Sequence, residues 1–265
     1  MNEKILKTKS NGFAALFFIV LMMIFAVASF ISSIAFLKNE ALTVVGVLLS
    51  IFLFIASIIS FGGLKVVKPQ EAIVLTLFGD YTGTIKEPGF YFVNPFSVAV
   101  NPASKTKLGQ SGDVDRQNTP IAVGNSGIEA NLDAFKKHIS LKIMTLNNSR
   151  QKINDCLGNP VEIGIAVTWK VVDTAKAVFN VDNYKEYLSL QCDSALRNIV
   201  RIYPYDVAPN VDTTGDGIAD EGSLRGSSEV VAKRIRDEIQ ARVENAGLEI
   251  IEARITYLAY APEIA

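Results

Sequence analysis

Histidine, cysteine and tryptophan are nearly missing from this chain: one His, two Cys and one Trp in 265 residues. With His138 alone, no Cys/His set has the size or spacing that a zinc site needs. No Gly-x-Gly-x-x-Gly string and no phosphate-loop lysine is present, so neither nucleotide-binding fingerprint is met. A surplus of charge is also lacking. The chain carries 26 Lys+Arg against 27 Asp+Glu, a net charge of −1, and nothing points to a nucleic acid or another polyanion. Cys156 and Cys192 lie far apart in sequence, and two such thiols in a cytoplasmic chain are expected to stay reduced. No cofactor and no metal is expected.

Charge is absent altogether from two long stretches. Phe13–Leu37 and Ala41–Phe61 hold no charged residue and are separated only by Lys38, Asn39 and Glu40. At ~1.5 Å per residue these runs reach roughly 37 Å and 31 Å as helices. The hydrocarbon core of a bilayer is ~30 Å thick, so each run is long enough to span it. Helix is the form expected there, because lipid leaves every backbone polar group to be satisfied within the segment. Three linking residues permit only an antiparallel return, which predicts a transmembrane helical hairpin over 13–61. The tail at 1–12 carries Lys4, Lys7 and Lys9, the short link carries Lys38, and Lys65 and Lys68 follow the second run. Lysine stays preferentially on the cytoplasmic side, so both ends of the hairpin are expected at the inner face of the cell (plasma) membrane.

Two rival readings compete. Residues 1–28 have the basic start, apolar stretch and Ala26-Val27-Ala28 of a cleaved signal peptide. Against that, apolar character runs on through Phe30, Ile31, Ile34, Phe36 and Leu37, where a cleavage region turns polar. The other rival places one run in a soluble core, yet a chain of this size has no core deep enough for two adjacent uncharged helices. The hairpin takes about 60 residues and leaves about 200, enough for a domain with its own core.

Past Gly62-Gly63, Val66–Gly79 reads as strand, with a turn at Gly79-Asp80 and a returning strand over Tyr81–Ile85. Pro88-Gly89 and Asn94-Pro95 are breaks that bracket Phe90–Val93. Ser104–Ile128 is polar and Gly-rich, expected as loop with short strands, and Lys136–Leu146 alternates as a half-buried strand does. Val161–Val171 is the clearest strand: Val161, Ile163, Ile165, Val167, Trp169 and Val171 share one face at period two. Asn183 with Glu186 three places on starts a helix, with Tyr184, Leu188, Cys192, Ala195 and Ile199 on its inner face. Tyr203-Pro204 stops it. Ser227 or Ser228 opens another helix, striped by Val231, Ile235, Ile239 and Val243 and closed by Asn245-Ala246-Gly247. A last strand is expected over Leu248–Leu258, with Leu248, Ile250 and Glu252 on one face and Glu249, Ile251 and Ala253 on the other.

A membrane anchor, then Pro69-Gln70-Glu71-Ala72-Ile73-Val74, Phe78-Gly79, Pro88-Gly89-Phe90 and Pro95-Phe96, resembles the start of an SPFH (band 7) domain, the superfamily of stomatins, prohibitins and flotillins. The later order of strand, helix, helix, strand, with Gly247-Leu248-Glu249-Ile250 ahead of Ala253-Arg254-Ile255, is similar to that family over 66–265. The resemblance implies an α+β fold: an N-terminal transmembrane hairpin and an SPFH-like cytoplasmic domain of mixed sheet and packed helices over 62–265. It also implies a non-catalytic scaffold that self-associates and organises lipids or neighbouring membrane proteases or transporters. Family members continue into a long Ala/Glu-rich helix, whereas this sequence ends at Pro262-Glu263-Ile264-Ala265, either truncated there or without that helix.

Three strings compete for other roles. Asp212, Asp216, Gly217 and Asp220 match calcium-loop positions 1, 5, 6 and 9, but Thr214 and Ser223 stand at positions 3 and 12, where ligands are needed. A solvated acidic turn is the plainer reading, with a calcium-responsive protein as alternative. Gly124-Asn125-Ser126-Gly127 offers Ser126 as a hydrolase nucleophile, but a triad also needs a placed His, and His138 falls in an expected strand. Phe90, Tyr91, Phe92 and Phe96 follow the membrane closely enough to enter its interfacial layer, or else they fill the domain core.

Overall fold

In a computed structural model, residues 2–6, 10–36, 40–106, 137–206 and 222–262 are described. The chain divides into two compact units, Lys4–Val100 and Asn101–Ala265, the latter taking in Met1–Glu3.

In the first unit, α1 (Gly12–Phe36) and α2 (Glu40–Phe61) pack side by side. Small residues line their contact: Ala26, Ser33, Ser50 and Ser57 are buried, and the Ser50 hydroxyl donates to Ser29 Oγ at 3.1 Å across it. Serine hydroxyls also donate back to backbone carbonyls, Ser33 to Ser29 at 2.8 Å and Ser57 to Phe54 at 2.6 Å. An apolar setting demands such bonds, since an unbonded hydroxyl there is unfavourable.

At the end of α2 the chain turns at Gly62-Gly63. A side-chain carbon on Gly63 would stand 2.4 Å from the Val93 carbonyl oxygen, so only glycine fits. β1 (Leu64–Val67) pairs antiparallel with β4 (Gly89–Phe92). β2 (Glu71–Leu77) forms a hairpin with β3 (Asp80–Ile85) and also pairs with β5 (Val98–Ala99). The single strand expected over Val66–Gly79 is therefore two strands in two sheets. Pro69 has no N–H to give a ladder, Gln70 sits at φ 61°, and Glu71 N–H closes the turn onto Lys68 O at 3.2 Å. Val67, Ile73, Leu75, Ile85 and Tyr91 form the core of this unit. The segment ahead of α1 is joined to it. Leu6 N–H donates to Thr84 O at 2.9 Å, Thr84 N–H to Lys4 O at 2.8 Å, the Ser10 hydroxyl to Phe90 O at 2.9 Å, and Phe92 N–H to Asn11 Oδ1 at 3.1 Å.

The second unit holds the two-residue β6 (Ile139–Ser140) and an antiparallel sheet in the order β7 (Met144–Asn154), β8 (Pro160–Val171), β9 (Leu248–Tyr260). All six residues expected on the inner face of β8 are at most 3% exposed. The strand expected over Lys136–Leu146 is broken after Ser140, and β7 runs on to Asn154. α3 (Thr174–Phe179) was not expected; Asp173 caps it by accepting from Lys176 N–H at 2.9 Å. α4 (Tyr184–Val200) and α5 (Ser228–Val243) follow. Asn183 caps α4, accepting from Lys185 N–H and Glu186 N–H, and its amide donates to Glu186 Oε1 at 2.9 Å. The stripe Val231, Ile235, Ile239, Val243 is fully buried. Gly247, at φ 68°, ends the helical segment. In β9 the expected alternation fails after Ile250. The register slips so that Ile250 faces Trp169 and Glu252 faces Thr168, leaving Ile251 bulged and exposed while Ala253 joins the buried face.

Candidate functional site

α1 and α2 are both long and apolar enough to cross a membrane, over Gly12–Ala35 and Glu40–Phe61, and only 11% of the most apolar window of each is buried. Phe17, Phe18, Phe25, Leu48, Phe52 and Ile55 stand with half or more of their surface bare. A core helix would hide these residues, so the soluble-core alternative finds no support in the packing. Bare apolar surface of this extent marks a contact with lipid or with another protein. α1 runs unbroken through Ala26-Val27-Ala28, and Ala26 is 1% exposed against α2.

The four aromatics divide. Tyr91 is 2% exposed within the core, its hydroxyl donating to Glu87 O at 3.1 Å. Burial, and then the Glu87 charge, push the Tyr91 phenol above its ordinary range. Phe90 packs edge-on against Phe13 at 5.1 Å, and Phe92 is half-buried. Phe96 is 57% exposed. It stacks on Phe78, which is 87% exposed, with ring centroids 6.2 Å apart and planes at 26°.

From the sequence Phe78 reads as the end of a strand and not as a site. With Gly79 it makes the two-residue turn between β2 and β3, so the turn falls one place earlier than expected. Phe78 has φ 51° and Gly79 φ 100°, the double positive φ of a type I′ hairpin. Asparagine or glycine favours the first position; a residue with a larger side chain costs about 1–2 kcal/mol there. Phe96 lies near the end of α2: a side-chain carbon added at Gly62 would stand 3.4 Å from the Pro95 carbonyl oxygen. Val98, two residues after Phe96 and paired opposite Thr76, is 51% exposed.

The remaining candidates give little chemistry. Ser126 and the string Asp212, Asp216, Asp220 lie outside the described residues, as does the link at Lys38-Asn39. Among the described residues no group of three or more His, Cys, Asp or Glu is placed to hold a metal ion. His138 precedes β6, its carbonyl accepting from Asn101 Nδ2 at 2.8 Å. Tyr203 and Pro204 are buried, and Tyr205 packs on Tyr260 with centroids 3.9 Å apart, a packing role at the helix end. Cys156 and Cys192 are free thiols, and burial pushes that of Cys192 up to about 12. A groove between α5 and β9 is lined by Lys233, Arg236 and Arg254, but Arg236 pairs with Asp237 and Arg254 with Glu252, each at 2.7 Å.

The sequence profile described as SPFH domain / Band 7 family matches residues 65–265, about three quarters of the chain. The chain belongs to the SPFH (band 7) family. No curated protein matches it as a relative. In this SPFH protein the matched region begins four residues after α2 ends, so the family domain follows the apolar helix pair with almost no linker. The aromatic pair Phe78–Phe96 falls inside that domain, on the connections that flank β2 and β5 of the β3-β2-β5 sheet.

Proposed function

We propose that this protein is a membrane-anchored, non-catalytic scaffold. In this reading α1 and α2 cross the bilayer as a hairpin, and the SPFH domain lies at the cytoplasmic face of the inner membrane. Copies associate side by side and organise lipids or neighbouring membrane proteins such as proteases or transporters.

The observation that carries this reading is the placement of both flanks of the helix pair. The segment ahead of α1 and the sheets after α2 hydrogen-bond to one another, while the helices between them present bare apolar faces. Two spans whose outer ends share one folded unit leave and re-enter on one side. In the sequence, Lys4, Lys7, Lys9, Lys65 and Lys68 flank the outer ends of the helix pair and Lys38 alone falls in its link, a bias that supports the cytoplasmic side. Confinement to a plane raises the effective concentration of such domains, so weak contacts between copies suffice.

Chemical cross-linking in native membranes, followed by sizing, tests the self-association. The expected pattern is a ladder of multiples of the chain. A monomer alone at cross-linker concentrations that capture a known membrane oligomer contradicts the scaffold.

A further inference from the structure

The exposed rings of Phe78 and Phe96 lie on two separate connections, the β2–β3 turn and the β4–β5 link, yet they stack on each other. Two chain segments have thus been brought together to present aromatic surface to the outside. Folding of the turn gives no reason for a phenylalanine, because a positive φ favours asparagine or glycine. An outlier kept against local preference, on a surface left bare by the described residues, points to a contact made outside the unit.

Position names that contact. Pro95 abuts the Gly62 turn where α2 ends, so Phe96 and its stacking partner stand level with the mouth of the second apolar helix. If α2 spans a bilayer, that level is the headgroup layer, where aromatic rings are favoured and where peptide polar groups stay hydrated. We propose that Phe78 and Phe96 form an aromatic foot seated in the interfacial layer of the bilayer beside the exit of α2, with Val98 at its margin. The proposal rests on the membrane-anchor reading and extends it to a lipid-contact site inside the SPFH domain. Asp80, exposed at the same turn, limits the depth, since its carboxylate stays with water and headgroups. The foot adds little to retention, which two apolar helices already secure. Its effect is to fix how the β3-β2-β5 sheet leans on the membrane, as a third point of contact beside the two helix ends.

The test uses the full chain in phosphatidylcholine/phosphatidylglycerol vesicles with Cys156→Ser as background; Cys192 is buried and does not label. Single cysteines at Phe78→Cys, Phe96→Cys and, within α2, Ile55→Cys carry an environment-sensitive dye. Iodide quenches from the water, and lipids brominated near the headgroup or deep in the chains quench from the bilayer. The expected result is deep-bromine quenching at position 55. At 78 and 96, shallow-bromine quenching is expected, with iodide quenching reduced at least threefold against the free dye adduct. Full iodide quenching at 78 and 96 with position 55 still lipid-quenched overturns the foot and leaves the anchor standing. Iodide access at position 55 as well overturns the anchor itself. Shielding from iodide at 78 and 96 without bromine quenching assigns the surface to another protein copy and likewise overturns the foot.

Discussion

Replacing Phe52 with arginine separates a lipid-facing helix from a water-facing one. Phe52 lies twelve residues into α2, Glu40–Phe61, and so about 18 Å along a helix of about 33 Å. Its side chain is 67% exposed and points away from α1 packing. Near the centre of a span, an arginine is disfavoured by about 2.5–3.5 kcal/mol and a phenylalanine is favoured by a few tenths. The exchange therefore shifts insertion by about 3–4 kcal/mol, or about 100- to 1000-fold. On the surface of a soluble protein, the same exchange at so exposed a site would fall within about 0.5 kcal/mol and would raise solubility. Alkaline carbonate extraction of membranes reads the difference. Wild type and Phe61→Arg, at the end of the helix, are expected in the pellet, with Phe52→Arg largely extracted or degraded. A Phe52→Arg chain that pellets like wild type, in undiminished amount, refutes the reasoning.

Three further outcomes are expected. Phe78→Asn relieves the positive φ at the turn and raises the thermal stability of the domain by about 1 kcal/mol, while removing a ring from the lipid contact; lowered stability by calorimetry would show that Phe78 serves the fold. Gly247→Ala places a side-chain carbon 2.2 Å from the Asp173 carbonyl oxygen at φ 68°, so the loss is at least about 2 kcal/mol, seen as a melting point lower by several degrees. Cys192 resists alkylation in the native chain at pH 8 and reacts once denatured. Its thiol, raised from 9.0 to about 12 by burial and by Asp193, favours the protonated folded state; that contribution is full below pH 9 and is lost as pH climbs toward 12. Native reactivity equal to that of the exposed Cys156 would contradict the burial.

The apolar helices were readable without tertiary information, because a run without charge and of bilayer length is a property of the string itself. The same holds for the alternation of Val161–Val171 and the stripe Val231, Ile235, Ile239, Val243, where burial on one face repeats at the period of the backbone. Features that depend on one residue's backbone state were not readable. Gln70 at positive φ divides β1 from β2; Pro69 beside it signals a break in the strand, but nothing in the string announces a positive φ at a glutamine. The end of β7 is hidden by the polar tract Asn147–Lys152. There Asn148 points inward because its amide donates to Asp193 Oδ1 at 2.6 Å, and a register shift follows it. α3 spans six residues, too few for a helical period to show. At the candidate site, Phe96 is exposed, Tyr91 belongs to the core, and the exposed Phe78 carries no signal in the string. Its role arises from stacking between two connections distant in sequence, which no local pattern records.

The central claim is that the helix pair is a membrane hairpin whose two flanks share one side. Epitope tags ahead of Met1 and after Ala265, probed with added protease in intact and in permeabilised cells, test it most directly. Both tags surviving in intact cells and both falling after permeabilisation is the expected result. A tag at either end digested while the cells are intact contradicts the hairpin.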